Sequence, residues 1–270
     1  MPESAPHRPR SSGPSLADLV ASHLRGRILS GEFQDGSFLP TQKDLLAQFG
    51  VSRPTLREAL RILEAEGLIR VLRGKLGGSI ITAPSPATAA YAIATVLEAN
   101  RVGLPDVAVA LQEIEPACLA MAARRPDRKQ AVVSVLRSLN ERSAAAIDDP
   151  DEYRALAHQL HRGFISSSGS QTMELLACAL EDLWMSQARA STSAVTHKIR
   201  CAHVDAHTEI IDAVDRGESD LVQELARRHL REATTHSLTA NNDVSIDSST
   251  LSPGLTSITW SLRSALPAPA

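Results

Sequence analysis

From Ala87 to about Ala240 apolar residues return every three or four positions and never alternate. A stretch built this way can bury its side chains only as amphipathic helices packed on one another. Breaks at Gly103-Leu104-Pro105, Arg125-Pro126-Asp127, Asp148-Asp149-Pro150, Ser166 to Ser170 and Arg216-Gly217-Glu218-Ser219 cut it into six or seven helices. The expectation is an all-α bundle of about 150 residues. Composition agrees: 43% of the 270 residues are apolar, 22% charged and only 3% aromatic, which excludes long disorder for most of the chain. No apolar run approaches the roughly 20 residues of a membrane span, and residues 1–14 lack the apolar stretch of a secretory signal, so a cytoplasmic protein without membrane partners is expected. Cys118, Cys178 and Cys201 are an odd set without CxxC spacing and read as small apolar fillers.

The first third reads differently. Residues 1–14 are a flexible basic arm rich in Pro, Ser, Arg and Gly. A helix follows with Leu16, Leu19, Val20, Leu24 and Ile28 as its apolar stripe, ending at Gly31, and Phe33 to Leu39 reads as a turn-rich connector. Thr41 caps a short helix with Leu45 and Leu46 inward, stopped by Gly50. Ser52 caps the next, with Pro54 in its first turn and Leu56, Ala59, Leu60 and Leu63 as the buried stripe, until Gly67. Two β-prone runs, Leu68 to Leu72 and Ser79 to Thr82, flank a glycine-rich tip from Arg73 to Gly78. The predicted organisation is an arm (1–14), a winged helix-turn-helix (15–83), an all-helical domain for effector binding and dimerisation (84–240) and a disordered tail (241–270). In that tail Ile258, Trp260 and Leu262 have the character to dock. The fold class is mainly α.

Charge is distributed to match. Residues 1–80 hold 11 Lys/Arg against 8 Asp/Glu, and the remainder 17 against 23, so the front is basic and the back acidic. A short helix, a tight turn and a second helix bearing Arg53, Arg57 and Arg61 is the layout in which the second helix enters the major groove of DNA. Arginine bonds guanine O6 and N7 in a bidentate fashion, while hydroxyls such as Ser52 and Thr55 and helix N-terminal amides hold phosphate. A solvated charged face would also carry arginines at this spacing, with Glu58 and Glu64 as partners. It would not place two capped helices and a basic hairpin in this order within about 45 residues.

The block Val51-Ser52-Arg53-Pro54-Thr55-Leu56-Arg57-Glu58-Ala59-Leu60, together with Leu39-Pro40, Leu63 to Ile69 and Arg73-Gly74, resembles the winged helix-turn-helix of the GntR family of bacterial transcription regulators. The resemblance implies operator contacts at Lys43, Ser52, Arg53, Thr55, Arg57, Arg73 and Gly74. It also implies a homodimer on a pseudo-palindromic site, and a repressor rather than an enzyme.

In the helical region His161 lies near Leu156, Leu160 and Phe164. His207 shares a stripe with Ile210, Ile211 and Val214, and His229 sits among Leu225, Ala226 and Ala233. Imidazoles on separate helices can converge to hold zinc, although a histidine on an apolar face is more often a satisfied core residue. The segments Ile114-Glu115-Pro116, Leu160-His161 to Ser168-Gly169, His207 to Ala213 and Ala226 to Leu230 resemble the effector-binding (FCD) domain of the FadR-type branch of the same family. That resemblance implies a divalent metal on one Asp and three His, here His161, His207 and His229, with a small carboxylate effector completing the shell. Two positions depart from it: the Asp is Ala157, and an arginine that partners the effector is Leu111. Three imidazoles and a water still make a tetrahedral zinc site, and His158 or His203 can substitute for the lost ligand. Alternatively the metal is lost, and a more apolar pocket around Ala157, Leu111, His158 and His203 takes a bulkier or fattier effector. Two other functions are weighed: a regulator for which the metal itself is the signal, and a three-His zinc hydrolase. The hydrolase needs a general base; no H-E-x-x-H is present, and Glu209, two residues from His207, falls on another helix face.

Overall fold

Ser15 starts the first helix with a complete capping box: its Oγ accepts from the Asp18 amide while the Asp18 carboxylate accepts from the Ser15 amide. In this computed structural model, which describes residues 13–72, 77–82, 86–187, 195–239 and 245–251, the chain divides into two compact units, Met1–Pro84 and Ser85–Ala270. The first unit contains α1 (Leu16–Leu29), α2 (Gln42–Phe49), α3 (Arg53–Ala65) and the antiparallel strands β1 (Ile69–Leu72) and β2 (Gly78–Ile81), with Ile69 opposite Ile81. Its core is drawn from all of them, with Leu24, Leu45, Leu56, Leu63 and Ile69 at its centre.

Two expectations change here. The buried stripe of α1 is Ala17, Val20, Ala21, Leu24 and Ile28; Leu16 and Leu19 are 55% and 53% exposed. Small alanines let α1 approach α3 closely, so the stripe turns toward them and away from the larger leucines. The connector after α1 is also more than a turn. The Leu39 amide donates to Ser79 O, the Ile81 amide to Ser37 O, and Phe38 bridges Ile80, so residues 36–39 add a third edge to the two-stranded wing.

The second unit is a bundle of α4 (Pro86–Ala99), α5 (Leu104–Arg124), α6 (Ser134–Ala145), α7 (Pro150–Ser166), α8 (Gln171–Gln187), α9 (His197–Arg216) and α10 (Ser219–Thr239), with a π turn at Lys129–Val133 leading into α6. The breaks between helices fall where the glycines and prolines predict, with one addition between α8 and α9 that carries neither. There Thr196 opens α9 by accepting from the Ile199 amide. Helix α5 packs along α10, and α4 along α8. One apolar cluster joins Leu119, Leu136, Leu160, Phe164, Ile210 and Val214, and a second joins Leu104, Val107, Leu111, Leu183, Trp184 and Ile246.

Ile246 belongs to the stretch whose composition predicts disorder. Residues 245–251 instead lie against the bundle: Ser245 bridges Gly103, the Gln187 amide donates to Asp247 O and Thr250 Oγ1, and a 3-10 turn spans Ser248–Thr250. Ile258, Trp260 and Leu262 lie outside the described residues. Among the described residues no helix is long and apolar enough to cross a membrane.

Candidate nucleic-acid interface and ligand chamber

Helix α3 is built to present one basic face. Ser52 Oγ accepts from the Thr55 amide and lies 2.8 Å from Thr55 Oγ1, so the two hydroxyls sit together at the helix N-terminus. Gly50, at φ 62, supplies the left-handed turn that ends α2 and lets Ser52, two residues later, cap α3. Leu56, Ala59, Leu60 and Leu63 take the inner face, leaving Arg53, Arg57 and Arg61 exposed on the other. Glu58 pairs with Arg61 at 3.5 Å, while Glu64 Oε1 accepts from the Val71 amide and ties α3 to β1. Neither acid engages Arg53 or Arg57, and Lys43 is exposed in the first turn of α2. Arg73 and Gly74 lie outside the described residues.

In the helical unit His161 from α7, His207 from α9 and His229 from α10 each offer a ring nitrogen, and these atoms all lie within 4.8 Å of one another. His207 Nε2 is 2.9 Å from His229 Nε2, and His161 Nδ1 is 2.6 Å from Glu115 Oε1 on α5. Burial, followed by mutual repulsion among the imidazoles, holds His207 and His229 well below the usual histidine range. Burial opposes protonation of His161 as well, but the Glu115 charge and hydrogen bond outweigh it and raise that ring. A row of ring contacts continues from His229 to His203 at 5.1 Å and from His203 to His236 at 6.3 Å between centroids.

His161 and His207 of the trio line a cavity of about 190 Å³, and Leu111, Ala157, His158 and His203 are also in its wall. Burial takes His158 and His203 down to about 4, so both are neutral bases there. Glu181 on α8 is 5% exposed, with one carboxylate oxygen 3.5 Å from His158 Nε2 and the other without a hydrogen-bond partner among the described residues. Arg162, also buried, pairs with Asp182 at 2.7 Å and stands 3.9 Å from that second oxygen of Glu181.

The comparisons with known proteins divide along the same line as the structure. A family model described as "Bacterial regulatory proteins, gntR family" matches residues 16–75, and one described as "FCD domain" matches residues 106–232. The chain belongs to the GntR family. As a GntR-family protein of FadR type, it is a ligand-responsive DNA-binding regulator of transcription. It is 25% identical over 229 residues to the HTH-type transcriptional repressor NanR of Salmonella newport (strain SL254), covering 83% of this chain and 86% of that protein. The same repressor from Salmonella typhimurium matches at 25% identity, covering 83% and 85%. A solved structure described as Streptococcus agalactiae GntR superposes with a TM-score of 0.61 at 21% identity over 81% of this chain and 99% of that one, a likeness of fold.

The chamber lacks two polar groups that the resemblance implies. The methyl of Ala157 and the side chain of Leu111 line it where the family resemblance implies an aspartate and an arginine. Glu115, Glu181, Tyr153, Arg200 and His236 carry chemistry in or beside it that sequence reasoning did not single out. The expectation that no acid stands beside the histidines is corrected by Glu115, which arrives from 46 residues away on another helix. Its only sequence signal is its place in the segment Ile114-Glu115-Pro116.

Proposed function

We propose that this protein is a dimeric repressor whose operator is released when a small anionic or fatty effector enters the chamber beside His161, His207 and His229. The observation that carries this reading is the convergence of three imidazoles from α7, α9 and α10, two of which, His161 and His207, line one cavity, in a unit separate from the helix that presents Arg53 and Arg57. Two α3 helices in a two-fold dimer suit a pseudo-palindromic site, with Lys43, Ser52, Arg53, Thr55 and Arg57 on the duplex and Arg73 and Gly74 at the wing tip. Both curated relatives are described as transcriptional repressors, and we read the protein as binding its effector without turning it over.

The donor set suits zinc. His207 and His229 are held well below the usual histidine range by burial, which favours the neutral form that ligands need, and Glu115 on His161 Nδ1 leaves Nε2 of that ring to serve as a ligand. When bound, zinc supplies a positive centre for an effector oxygen. Nδ1 of His207 and of His229 has no hydrogen-bond partner among the described residues. Only one of the three imidazoles therefore has the outer support that strengthens a metal site.

Release requires that the effector bind the DNA-incompetent arrangement more tightly, and a coupling of about 1–3 kcal/mol weakens operator affinity roughly 5- to 150-fold. The test is operator affinity by fluorescence anisotropy, using a duplex obtained by in vitro selection, with and without zinc and a panel of small carboxylates and fatty acids. We expect at least one class of compound to weaken binding in the wild type and to lose its effect in His207→Ala/His229→Ala. Operator affinity indifferent to every compound would overturn the reading.

A further inference from the structure

Arg200 sits in the first turn of α9, is 7% exposed, and lines the cavity. Its Nε donates to Ile147 O at 2.7 Å and its Nη1 to Val195 O at 2.9 Å. Both acceptors are neutral, and no carboxylate pairs with Arg200 among the described residues, in contrast to Arg162, whose charge is met by Asp182. A buried guanidinium without a counter-ion is costly, and proteins keep one where an anion will arrive. The Arg200 guanidinium carbon stands 6.0 Å from the centre of the Tyr153 ring. Tyr153 is 4% exposed and lines the same cavity, and its Oη has no hydrogen-bond partner among the described residues. Burial pushes that phenol up to about 12, so it stays protonated and available to donate.

On their own helices both residues lie far from the trio members His161 and His207, with His158 and His203 in the wall between. Arg200 precedes His207 by seven residues on α9, a rise of about 10 Å, and Tyr153 precedes His161 by eight on α7, about 12 Å. Ala157, Leu111 and Trp184 form apolar wall in the same cavity. Two acids also line it, and neither pairs with Arg200: Glu115 is engaged by His161 at 2.6 Å, and Glu181 lies 3.5 Å from His158 and 3.9 Å from Arg162. Arg154, also in the wall, pairs with Asp151 at 2.9 Å.

We propose that Arg200 and Tyr153 form a second recognition pole that binds an oxyanion at the end of the chamber away from His161 and His207. The effector is then an elongated molecule with polar groups at both ends and an apolar middle. This rests on the reading of the chamber as the effector site and assigns the charged contact to α9, in place of the arginine absent at Leu111.

The test is isothermal titration calorimetry on the full-length, zinc-loaded protein with straight-chain α,ω-dicarboxylates of four to ten carbons and the monocarboxylates of equal length. A chain of about eight carbons spans the two poles. We expect that diacid to bind about tenfold or more tightly than its monocarboxylate, with the short diacids showing no such gain. Arg200→Gln should abolish the gain. Because Arg200 also holds the start of α9, Tyr153→Phe is the second variant: it removes one oxygen and no packing, and should cut the gain severalfold while the monocarboxylate binds as before. Equal affinity for diacid and monoacid, a gain unchanged in Tyr153→Phe, or no binding of any diacid would each overturn the second pole. Failure of the chamber itself reads out separately, as operator affinity indifferent to all ligands.

Discussion

The three cysteines show how burial alone sets the chemistry of a side chain. Cys118 and Cys178 pack with Ile165 and Ala177, and burial pushes both thiols up to about 12, so neither forms a thiolate near neutrality. Cys201 is only half-buried. Labelling the native protein with a disulfide reagent at pH 8 should therefore modify one thiol, and three after denaturation; fast reaction of two or more in the native state would contradict this packing. As apolar fillers these residues were legible from sequence, because odd number and spacing already excluded a framework or a metal set. The ionisable members of the chamber were not. Glu115, Glu181 and Arg200 sit on three different helices, and nothing in local periodicity distinguishes a carboxylate that faces solvent from one that meets a ring 46 positions away.

Helices α2 and α3 were readable to within a residue because their ends are written in side-chain chemistry: Thr41 and Ser52 cap, Gly50 stops, and the stripe Leu56, Ala59, Leu60, Leu63 follows the helical period. Helix α1 was readable in extent but not in facing. Leucine outranks alanine in any hydrophobic count, yet the close packing of α1 on α3 favours the face with Ala17 and Ala21. The break before α9 escaped notice because no glycine or proline marks it. Since Arg53 and Arg57 project from a helix whose core lies on the opposite side, replacing either with alanine should leave the fold intact and weaken specific operator binding roughly 5- to 150-fold, with relaxed discrimination among sequences. Anisotropy titrations against the selected duplex and point-substituted versions measure both effects, and a wild-type profile from both variants would remove α3 as the reading element.

Each unit has its own apolar core, so calorimetry of the whole protein should resolve two heat-absorption transitions. Zinc should raise the one belonging to the helical unit, by about 2.7 kcal/mol of stability at a free concentration 100 times the dissociation constant, and leave the other in place. A chelator should reverse the shift, and movement of the winged-helix transition alone would argue against the three-histidine site. The architecture in two parts was visible from the change of periodicity near Pro84, whereas the docking of residues 245–251 was not, because Ser- and Asp-rich composition hides a single well-placed Ile246. That docked segment bears on how the protein is trimmed. Ile246 shares its cluster with Trp184, which also walls the chamber, so a stop codon after residue 244 would strip the outer backing from a pane of the ligand compartment. The shortened chain keeps Trp184 as its sole indole. A red-shifted emission and weakened ligand affinity would reveal the leak, and an emission maximum equal to that of Trp260→Phe full-length protein would show that the pane stands unsupported.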